Sequence, residues 1–350
     1  MGFLRKLWHK MLHPTTPWGV TRNSIAIIGS GSWATAIAKM VVERTGHIGW
    51  YIRKPENIAE FKRLHHNPDY LTTLQFDTGE ITFYSDINLI ARKYDTLIFV
   101  VPSPYLKGYL DNLTTDISKK TVVSAIKGMV AGQDMLVSDY MKVRFGVKPE
   151  RMMCIGGPTH AEEVAMRHFT FLTIGCTHLD TARRFAALLR SDYVKAEASS
   201  DIVGIEYAAI LKNIYAICAG ICYGLRYGDN FLAVLMTNCV KEMHRFLNAA
   251  VPGKRNICDS PYLGDLAVTC YSNFSRNRTF GTMLGRGYSV KSAQMEMKMV
   301  AEGYYGTKCI AELNNIRYHV DTPIIDTVYR ILYLDAAPDQ AIRELTKSLT

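Results

Sequence analysis

The chain has 350 residues, of which 48% are apolar and 21% charged, a balance typical of a globular protein. This length favours two domains over one. The net charge of +9 suits an anionic ligand, a nucleic acid or a membrane surface. Because the charges are scattered and no arginine-rich tract or nucleic-acid-binding motif is present, we expect anionic small molecules as ligands and no nucleic acid as a partner.

The eight cysteines indicate neither a zinc site nor a disulfide framework. They lie between Cys154 and Cys309 without a C-x-x-C pair, and Cys218 and Cys222 are one helical turn apart in an apolar run, which is typical of core packing. No long uncharged apolar segment is predicted to span a membrane. We therefore expect a cytoplasmic protein without a metal site.

Residues 1–22 form a basic and partly apolar extension, whose apolar run is too broken for a secretory signal. Two interpretations of this extension stay open. A disordered or docked segment is the favoured one, and an amphipathic helix that lies on a membrane surface is the other.

A glycine-rich turn follows the first apolar run of the chain. Residues 25–28 predict a buried parallel strand, and small and apolar residues at helical spacing come after the turn. Gly29, Gly31 and Ala34 give the pattern G-x-G-x-x-A of Rossmann domains. Free N–H groups and the dipole at the start of this helix suit a pyrophosphate. We predict a dinucleotide site here; the alternative is a glycine-rich turn without a ligand.

The second strand, over residues 47–52, ends in two cations, Arg53 and Lys54. A fold that prefers NAD usually has an acid here for the ribose 2′-hydroxyl. Two cations can instead accept a 2′-phosphate, so the sequence permits NADP as well as NAD. The alternative is a solvated pair of loop charges. Pro55 then predicts a helix through about Leu64.

Six further strands are predicted, over residues 81–84, 96–101, 121–125, 152–155, 171–176 and 193–196. Lys127 follows one of these strands and can point into the crevice at the carboxyl edge of the sheet, although an exposed loop lysine is the better interpretation of this position alone. Gly156, Gly157 and Pro158 predict a turn, after which we expect Thr159 to cap a helix.

Helical patterns dominate from Asp201 onward. Helices are predicted over residues 201–223, 230–250, 264–268, 275–285, 290–297, 307–318 and 323–332. The sequence therefore predicts an α/β Rossmann domain over residues 23–199, followed by an all-α substrate domain over residues 200–350.

Two stretches of this helical half have residues suited to chemistry. Lys212 lies in an apolar run. The segment alone favours a lysine that extends its ammonium to solvent. The alternative is a lysine in a cleft, with a lowered pKa suited to acid–base catalysis. Ser275, Arg276 and Asn277 at a helix start suit a phosphate, and a capped surface helix is an equally good interpretation.

Several short motifs together resemble the bacterial-type NAD(P)-dependent glycerol-3-phosphate dehydrogenases. They occur in the order expected for that family and are G-S-G-S-W-A-T-A (29–36), I-K-G (126–128), G-P-T-H-A-E-E (157–163), L-K-N (211–213), G-D-N (228–230), G-D (264–265), N-F-S-R-N (273–277) and A-E-G (301–303). The resemblance implies a Rossmann domain before a helical substrate domain, and a homodimer. It also implies reversible reduction of dihydroxyacetone phosphate to sn-glycerol 3-phosphate by NADPH or NADH, feeding glycerophospholipid synthesis.

The resemblance also implies roles for individual residues, with Lys212 as the catalytic proton donor and acceptor. The implied substrate-binding residues are Lys127, Gly157, Thr159, Lys212, Asp265, Ser275, Arg276 and Asn277. The implied cofactor-binding residues are Gly29, Gly31, Ser32, Trp33, Arg53, Lys127, Ala161, Arg276, Val300 and Glu302. Ser30, Ala34 and Ile126 depart from the residues usual in the family, and none of them is an implied proton-transfer group.

Two other functions stay open at this point. One is a related two-domain dehydrogenase that acts on another hydroxy acid or sugar acid, against which the phosphate-binding set of residues 275–277 argues. The other is a non-catalytic nucleotide sensor, which is expected to lack the catalytic lysine.

Overall fold

The computed structural model describes residues 24–297 and 301–350. The predictions for the extension of residues 1–22 and for Val300 concern residues outside this part. The predicted class is confirmed, because the described residues form a Rossmann-like α/β half followed by a helical half.

The described residues form one eight-stranded sheet. Its strands are β1 Ile25–Ile28, β2 Ile48–Tyr51, β3 Ile81–Tyr84, β4 Thr96–Phe99, β5 Thr121–Ser124, β6 Met152–Gly156, β7 Thr170–Gly175 and β8 Val194–Ser199. Their order is β3-β2-β1-β4-β5-β6-β7-β8, and neighbouring strands are parallel except β6 and β7, which are antiparallel. All eight predicted strands are present, with bounds within three residues of the predicted ones.

Helices cover both faces of the sheet. Those of the first half are α1 Ser32–Thr45, α2 Pro55–Leu64, α3 Ile87–Lys93, α4 Ser103–Asp111, α5 Val137–Phe145, α6 Ala161–Ala165 and α7 Leu179–Leu189. Alternate residues of β1 therefore lie in different cores: Ile25 and Ile27 pack with α1 and α7, and Ala26 and Ile28 belong to a core that continues into the helical half.

The second half contains only helical elements among its described residues. They are α8 Ile202–Gly224, α9 Gly228–Ala250, α10 Asp265–Tyr271, α11 Arg276–Gly285, α12 Val290–Glu296, α13 Glu302–Leu313, α14 Pro323–Tyr333 and α15 Pro338–Leu345. The sequence interpretation missed α4, α5 and α15. In α4, Pro104 lies in the first helical turn, where its missing N–H costs nothing.

Two predicted helix starts are wrong. Thr159 does not cap α6, because its Oγ1 donates instead to the carbonyl of Phe171 at 3.3 Å, and the residue at the N-cap is His160. Helix α13 begins at Glu302, five residues before the predicted start.

Helix α8 is the central element of the helical half. It is the one helix among the described residues that is long and apolar enough, by those criteria alone, to cross a membrane. However, 94% of its most apolar window is buried inside the protein, as expected for a core helix.

Helices α8 and α11 meet backbone to backbone. A Cβ built at Gly281 would lie 2.0 Å from the carbonyl oxygen of Ile217, and one at Gly220 would lie 2.1 Å from the carbonyl oxygen of Arg278. Because only glycine permits this approach, the start of α11 is held beside the middle of α8.

We predict that Gly281→Ala destabilises the protein, since its Cβ would overlap a carbonyl oxygen that cannot move without shifting α8. Overpacking of this kind costs about 1–3 kcal/mol of the free energy of unfolding, measurable by urea denaturation. The matched control is Gly108→Ala in α4, where a Cβ meets no atom within 4 Å. The control should be neutral or stabilising by up to about 1 kcal/mol, since alanine is the better helix former. Equal effects of the two substitutions would contradict the packing argument.

Candidate active site

A cleft of about 260 Å³ lies between the carboxyl ends of the central strands and the helical half. It brings together eleven of the residues that sequence reasoning singled out. They are Gly31, Ser32, Trp33, Lys127, Thr159, Ala161, Lys212, Ser275, Arg276, Asn277 and Glu302. Gly29, Arg53, Gly157 and Asp265 lie outside the lining of the cleft.

The glycine-rich turn packs tightly against the sheet. Gly29 has φ +129°, and a Cβ there would lie 2.1 Å from the carbonyl oxygen of Val100 at the end of β4. Gly157 has φ +109°, and a Cβ there would lie 2.7 Å from the carbonyl oxygen of Phe171. Both glycines therefore act by close backbone approach behind the cleft.

Two side chains that sequence reasoning missed hold the glycine-rich turn. Trp50 Nε1 donates to the carbonyl of Gly29 at 2.7 Å, and Asn67 Nδ2 donates to the carbonyl of Ser30 at 3.0 Å. Asn67 also bonds Thr35 Oγ1 at 2.7 Å. Trp50 reaches the turn because β2 is the neighbour of β1, whereas Asn67 follows α2 and no local pattern marked it.

The start of α1 fits the pyrophosphate of a dinucleotide. Gly31 is its N-cap and supplies no side chain to the first N–H groups, and a Cβ at Gly31 would meet no atom within 4 Å. Trp33 lines the cleft, and its Nε1 is buried without a hydrogen-bond partner among the described residues. Unpaired donors at a helix N-terminus favour an anion.

Arg53 lies on the exposed end of β2, next to the strand that carries the glycine-rich turn. Its guanidinium is 5.9 Å from the centre of the Tyr109 ring. This places a cation at the same edge of the sheet as the turn, beyond the central cleft.

A buried ion pair lies at the floor of the cleft. Lys212 on α8 is 3% exposed and Asp265 is 1% exposed, and Lys212 Nζ donates to Asp265 Oδ1. The interpretation of Lys212 as a solvent-directed lysine is therefore wrong. The second carboxylate oxygen, Asp265 Oδ2, is buried and has no partner within the described residues.

Asp265 owes its position to a π-helical turn, Ser260–Gly264, that precedes α10. Tyr262 in this turn donates from its hydroxyl to Asp201 Oδ2 at 2.6 Å, and Arg255 Nε donates to the same oxygen at 2.8 Å. Asp201 is in turn the N-cap of α8. One partly buried network thus ties the turn that carries the carboxylate to the helix that carries the lysine.

Burial lowers the pKa of Lys212 to about 7. The Asp265 carboxylate acts in the opposite direction and raises this pKa, while the neighbouring Lys127 lowers it. Lys127 Nζ itself lies 5.7 Å from the centre of the Trp33 ring, so it faces both the lysine and the start of α1. A lysine with this pKa can give and take a proton near neutral pH.

Asn277 joins three helices. Its Nδ2 donates to Asn213 Oδ1 at 2.9 Å, and its Oδ1 accepts from the N–H of Gly303 at 2.9 Å. Asn213 Nδ2 continues the chain of bonds to the carbonyl of Lys127 at 3.3 Å. Asn277, which the resemblance implies as a substrate-binding residue, lines the cleft while one of its N–H groups and its oxygen are bonded within the protein.

Ser275 and Arg276 stand at the start of α11. Ser275 is the N-cap, and its Oγ accepts from the N–H of Arg278 at 3.3 Å. Arg276 follows in the first turn and lines the cleft. A cation and helix N–H groups thus converge on the part of the cleft next to Lys212, as an anion site requires.

Glu302 connects the two halves of the protein. Its carboxylate accepts from Ser103 Oγ at 2.6 Å and from the N–H of Ser103 at 3.2 Å, at the start of α4. Burial raises the pKa of Glu302, and the bonds from Ser103 act against this rise. A Cβ at Gly128 would lie 2.2 Å from Ser103 Oγ, so this pair also holds the loop that carries Lys127.

Comparisons with known proteins agree with this geometry. The family model of the NAD-dependent glycerol-3-phosphate dehydrogenase N-terminus matches residues 24–182, and that of the C-terminus matches residues 201–343. The glycerol-3-phosphate dehydrogenase [NAD(P)+] of Prosthecochloris aestuarii is 34% identical over 92% of this chain and 97% of that protein. The chain belongs to the NAD-dependent glycerol-3-phosphate dehydrogenase family.

Other glycerol-3-phosphate dehydrogenases are similar in sequence and structure. The Enterococcus faecalis protein is 32% identical over 93% of this chain and 95% of its own length. The crystal structure from Coxiella burnetii superposes with a TM-score of 0.85 at 28% identity, over 93% of this chain and 99% of that one. A D-mandelate dehydrogenase with a TM-score of 0.58 and 14% identity, over 91% of this chain and 98% of that one, shares only the fold.

We predict that Asn277→Ala destabilises this family member by about 2–4 kcal/mol, because it leaves the buried Gly303 N–H and the Asn213 amide unpaired. Arg276→Ala at the neighbouring position is the matched control and should change the free energy of unfolding by less than about 0.5 kcal/mol. Urea denaturation of both variants makes the comparison. An Asn277→Ala variant as stable as the unmodified protein would contradict the structural importance of these two bonds.

Proposed function

We propose that the chain catalyses the reversible reduction of dihydroxyacetone phosphate to sn-glycerol 3-phosphate with NADPH or NADH. The observation that carries this proposal is the buried Lys212–Asp265 pair. Lys212 lines the same cleft as the starts of α1 and α11, both of which suit an anion. The names of the relatives, glycerol-3-phosphate dehydrogenase [NAD(P)+], support the same reaction.

The proposed proton transfer uses Lys212. The reduced nicotinamide, when bound, supplies a hydride to C2 of the ketone. Negative charge then develops on the C2 oxygen, and the Lys212 ammonium donates its proton there. Lys127 adds positive potential at the same place, and Asp265 orients the ammonium. In the reverse direction the neutral amine of Lys212 takes the proton from the alcohol.

The proposed phosphate site is the start of α11. Arg276 supplies a planar cation, and the first N–H groups of the helix add their dipoles. Anchoring the phosphate there holds the small ketone against Lys212, which saves the entropy of orienting it. Thr159, Ser275 and Asn277 line the same space and are further proposed substrate contacts. The family resemblance adds Gly157 and Asp265, which lie just outside the lining.

The proposed cofactor site runs from the glycine-rich turn to Glu302. The start of α1, with Ser32 and Trp33, holds the pyrophosphate, and Ala161 lines the cleft beside it. Arg53, which follows the strand beside β1, would hold the adenosine ribose end of the cofactor and could accept a 2′-phosphate, so NADP would bind as well as NAD.

Four further features belong to the proposal. The family resemblance supports a homodimer whose product feeds glycerophospholipid synthesis. The composition and cysteine pattern of the sequence support a cytoplasmic location. The change from strand to helical patterns supports a boundary between the dinucleotide-binding and substrate domains at residues 199–200, between the end of β8 and the start of α8.

The reaction is tested by following the absorbance of the reduced nicotinamide with dihydroxyacetone phosphate, separately for NADH and NADPH. We expect turnover that disappears with unphosphorylated dihydroxyacetone, and a kcat lower by about 10²-fold or more in Lys212→Ala. The exposed Lys254→Ala is the matched control and should keep full activity. Cofactor binding without turnover in the unmodified protein would support a nucleotide sensor instead.

The pH dependence tests the proton donor. Reduction needs the ammonium form of Lys212, whose pKa is about 7, so kcat/KM for reduction should fall as the pH rises above about 7. Oxidation needs the neutral amine and should lose kcat/KM as the pH falls below the same value. Asp265→Asn removes a charge that raises this pKa, so both midpoints should move to lower pH. Midpoints that do not move would exclude Lys212 as the titrating group.

A further inference from the structure

One group in the cleft has no part in the mechanism above. His160, the N-cap residue of α6, lines the cleft, and its Nε2 is buried without a hydrogen-bond partner among the described residues. A buried polar atom is normally paired, so an unpaired one that faces a ligand cavity indicates a group on the ligand.

The surroundings of His160 decide its protonation. The pKa of His160 is lowered to about 4, mainly by burial and also by the positive charges of Lys127 and Lys212. The charge of Asp265 and a hydrogen bond to the backbone of Val268 act in the opposite direction. The imidazole is therefore neutral at physiological pH.

A neutral imidazole carries one N–H and one acceptor nitrogen. The bond to the Val268 backbone takes the N–H, and the positive charges of Lys127 and Lys212 disfavour a second N–H on the ring. Since Nε2 is the unpaired nitrogen, it is left as an acceptor. The lining of the cleft thus includes an unpaired acceptor nitrogen.

The proposed substrate has one matching donor. Its ketone oxygen and its dianionic phosphate only accept hydrogen bonds, and Lys212 and Arg276 donate to them in the mechanism above. The C1 hydroxyl is the remaining polar group and can donate. An acceptor held beside Lys212 suits this hydroxyl, because the hydroxyl is attached next to the carbonyl that Lys212 protonates.

We propose that His160 is a specificity-determining residue, whose Nε2 accepts a hydrogen bond from the C1 hydroxyl and selects a hydroxymethyl ketone over a methyl ketone. This inference rests on the proposed function. A site built to bond a hydroxyl rejects the analogue that lacks it, because its buried polar groups are then left unpaired.

The test compares dihydroxyacetone phosphate with hydroxyacetone phosphate, which lacks the C1 hydroxyl. We expect the unmodified enzyme to prefer the former in kcat/KM by about 10²-fold or more. His160→Leu should lose at least about tenfold of this preference through a lower kcat/KM for dihydroxyacetone phosphate alone. His160→Gln keeps an acceptor oxygen and should retain most of the preference, and the exposed His168→Leu should retain all of it.

Two results would overturn the inference. An unchanged preference in His160→Leu would show that the imidazole does not contact the hydroxyl. An equal loss on both substrates would indicate a structural role, such as packing against Phe274, whose ring centre is 6.0 Å from that of His160. Failure of the proposed function itself is distinct, since the unmodified enzyme would then not reduce dihydroxyacetone phosphate at all.

A second measurement needs no folded His160→Leu variant. In the unmodified protein with 15N-labelled histidine, the Nε2 resonance of His160, assigned by its absence in His160→Gln, reports hydrogen bonding. We expect it to shift on addition of sn-glycerol 3-phosphate and not on addition of propane-1,2-diol phosphate, which lacks the terminal hydroxyl. The same shift with both ligands would contradict the proposal.

Discussion

The burial of an ammonium group in the middle of α8 is the constraint on which the site depends. Apolar neighbours remove water from Lys212, and Asp265 offsets part of that cost. Removing one partner of such a pair leaves a buried charge, typically at a cost of about 3–5 kcal/mol. The same desolvation that makes the pair expensive brings the pKa of Lys212 to about 7, so the cost to the fold and the capacity for proton transfer have one origin.

The sheet and the helices contribute different halves of the site. The parallel strands end at one edge and place the glycine-rich turn and the loop of Lys127 there. The helices supply Lys212 and the start of α11. Glu302 links the halves through Ser103, and this link has no counterpart in a Rossmann domain taken alone. Where these elements meet, two helix starts and the side chains of Lys127, Lys212 and Arg276 line the cleft together.

Features that depend on neighbouring residues were predicted from the sequence, and features that depend on residues far apart in the chain were not. Strands, the fingerprint at Gly29 and the helical character after Asp201 are local patterns, and the structure has them. The burial of Lys212 was missed, because its partner Asp265 lies 53 residues away and no local pattern reports the pairing. The bonds of Asn277 to Asn213 and Gly303 were not predicted for the same reason, since these partners lie on two other helices.

The glycine contact between α8 and α11 also fixes the distance between these two helices. Because Gly281 and Gly220 bring backbone against backbone, no side chain separates the two helices there, and the helices cannot come closer. Lys212 lies on one helix and Arg276 on the other, so this main-chain contact helps to set the interval between the proposed proton donor and the proposed phosphate anchor. For a ketone whose phosphate lies one carbon farther from its carbonyl, the side chains of Lys212 and Arg276 alone would have to adjust. The spacing of the two helices therefore limits the length of the substrate that the proposed site accepts.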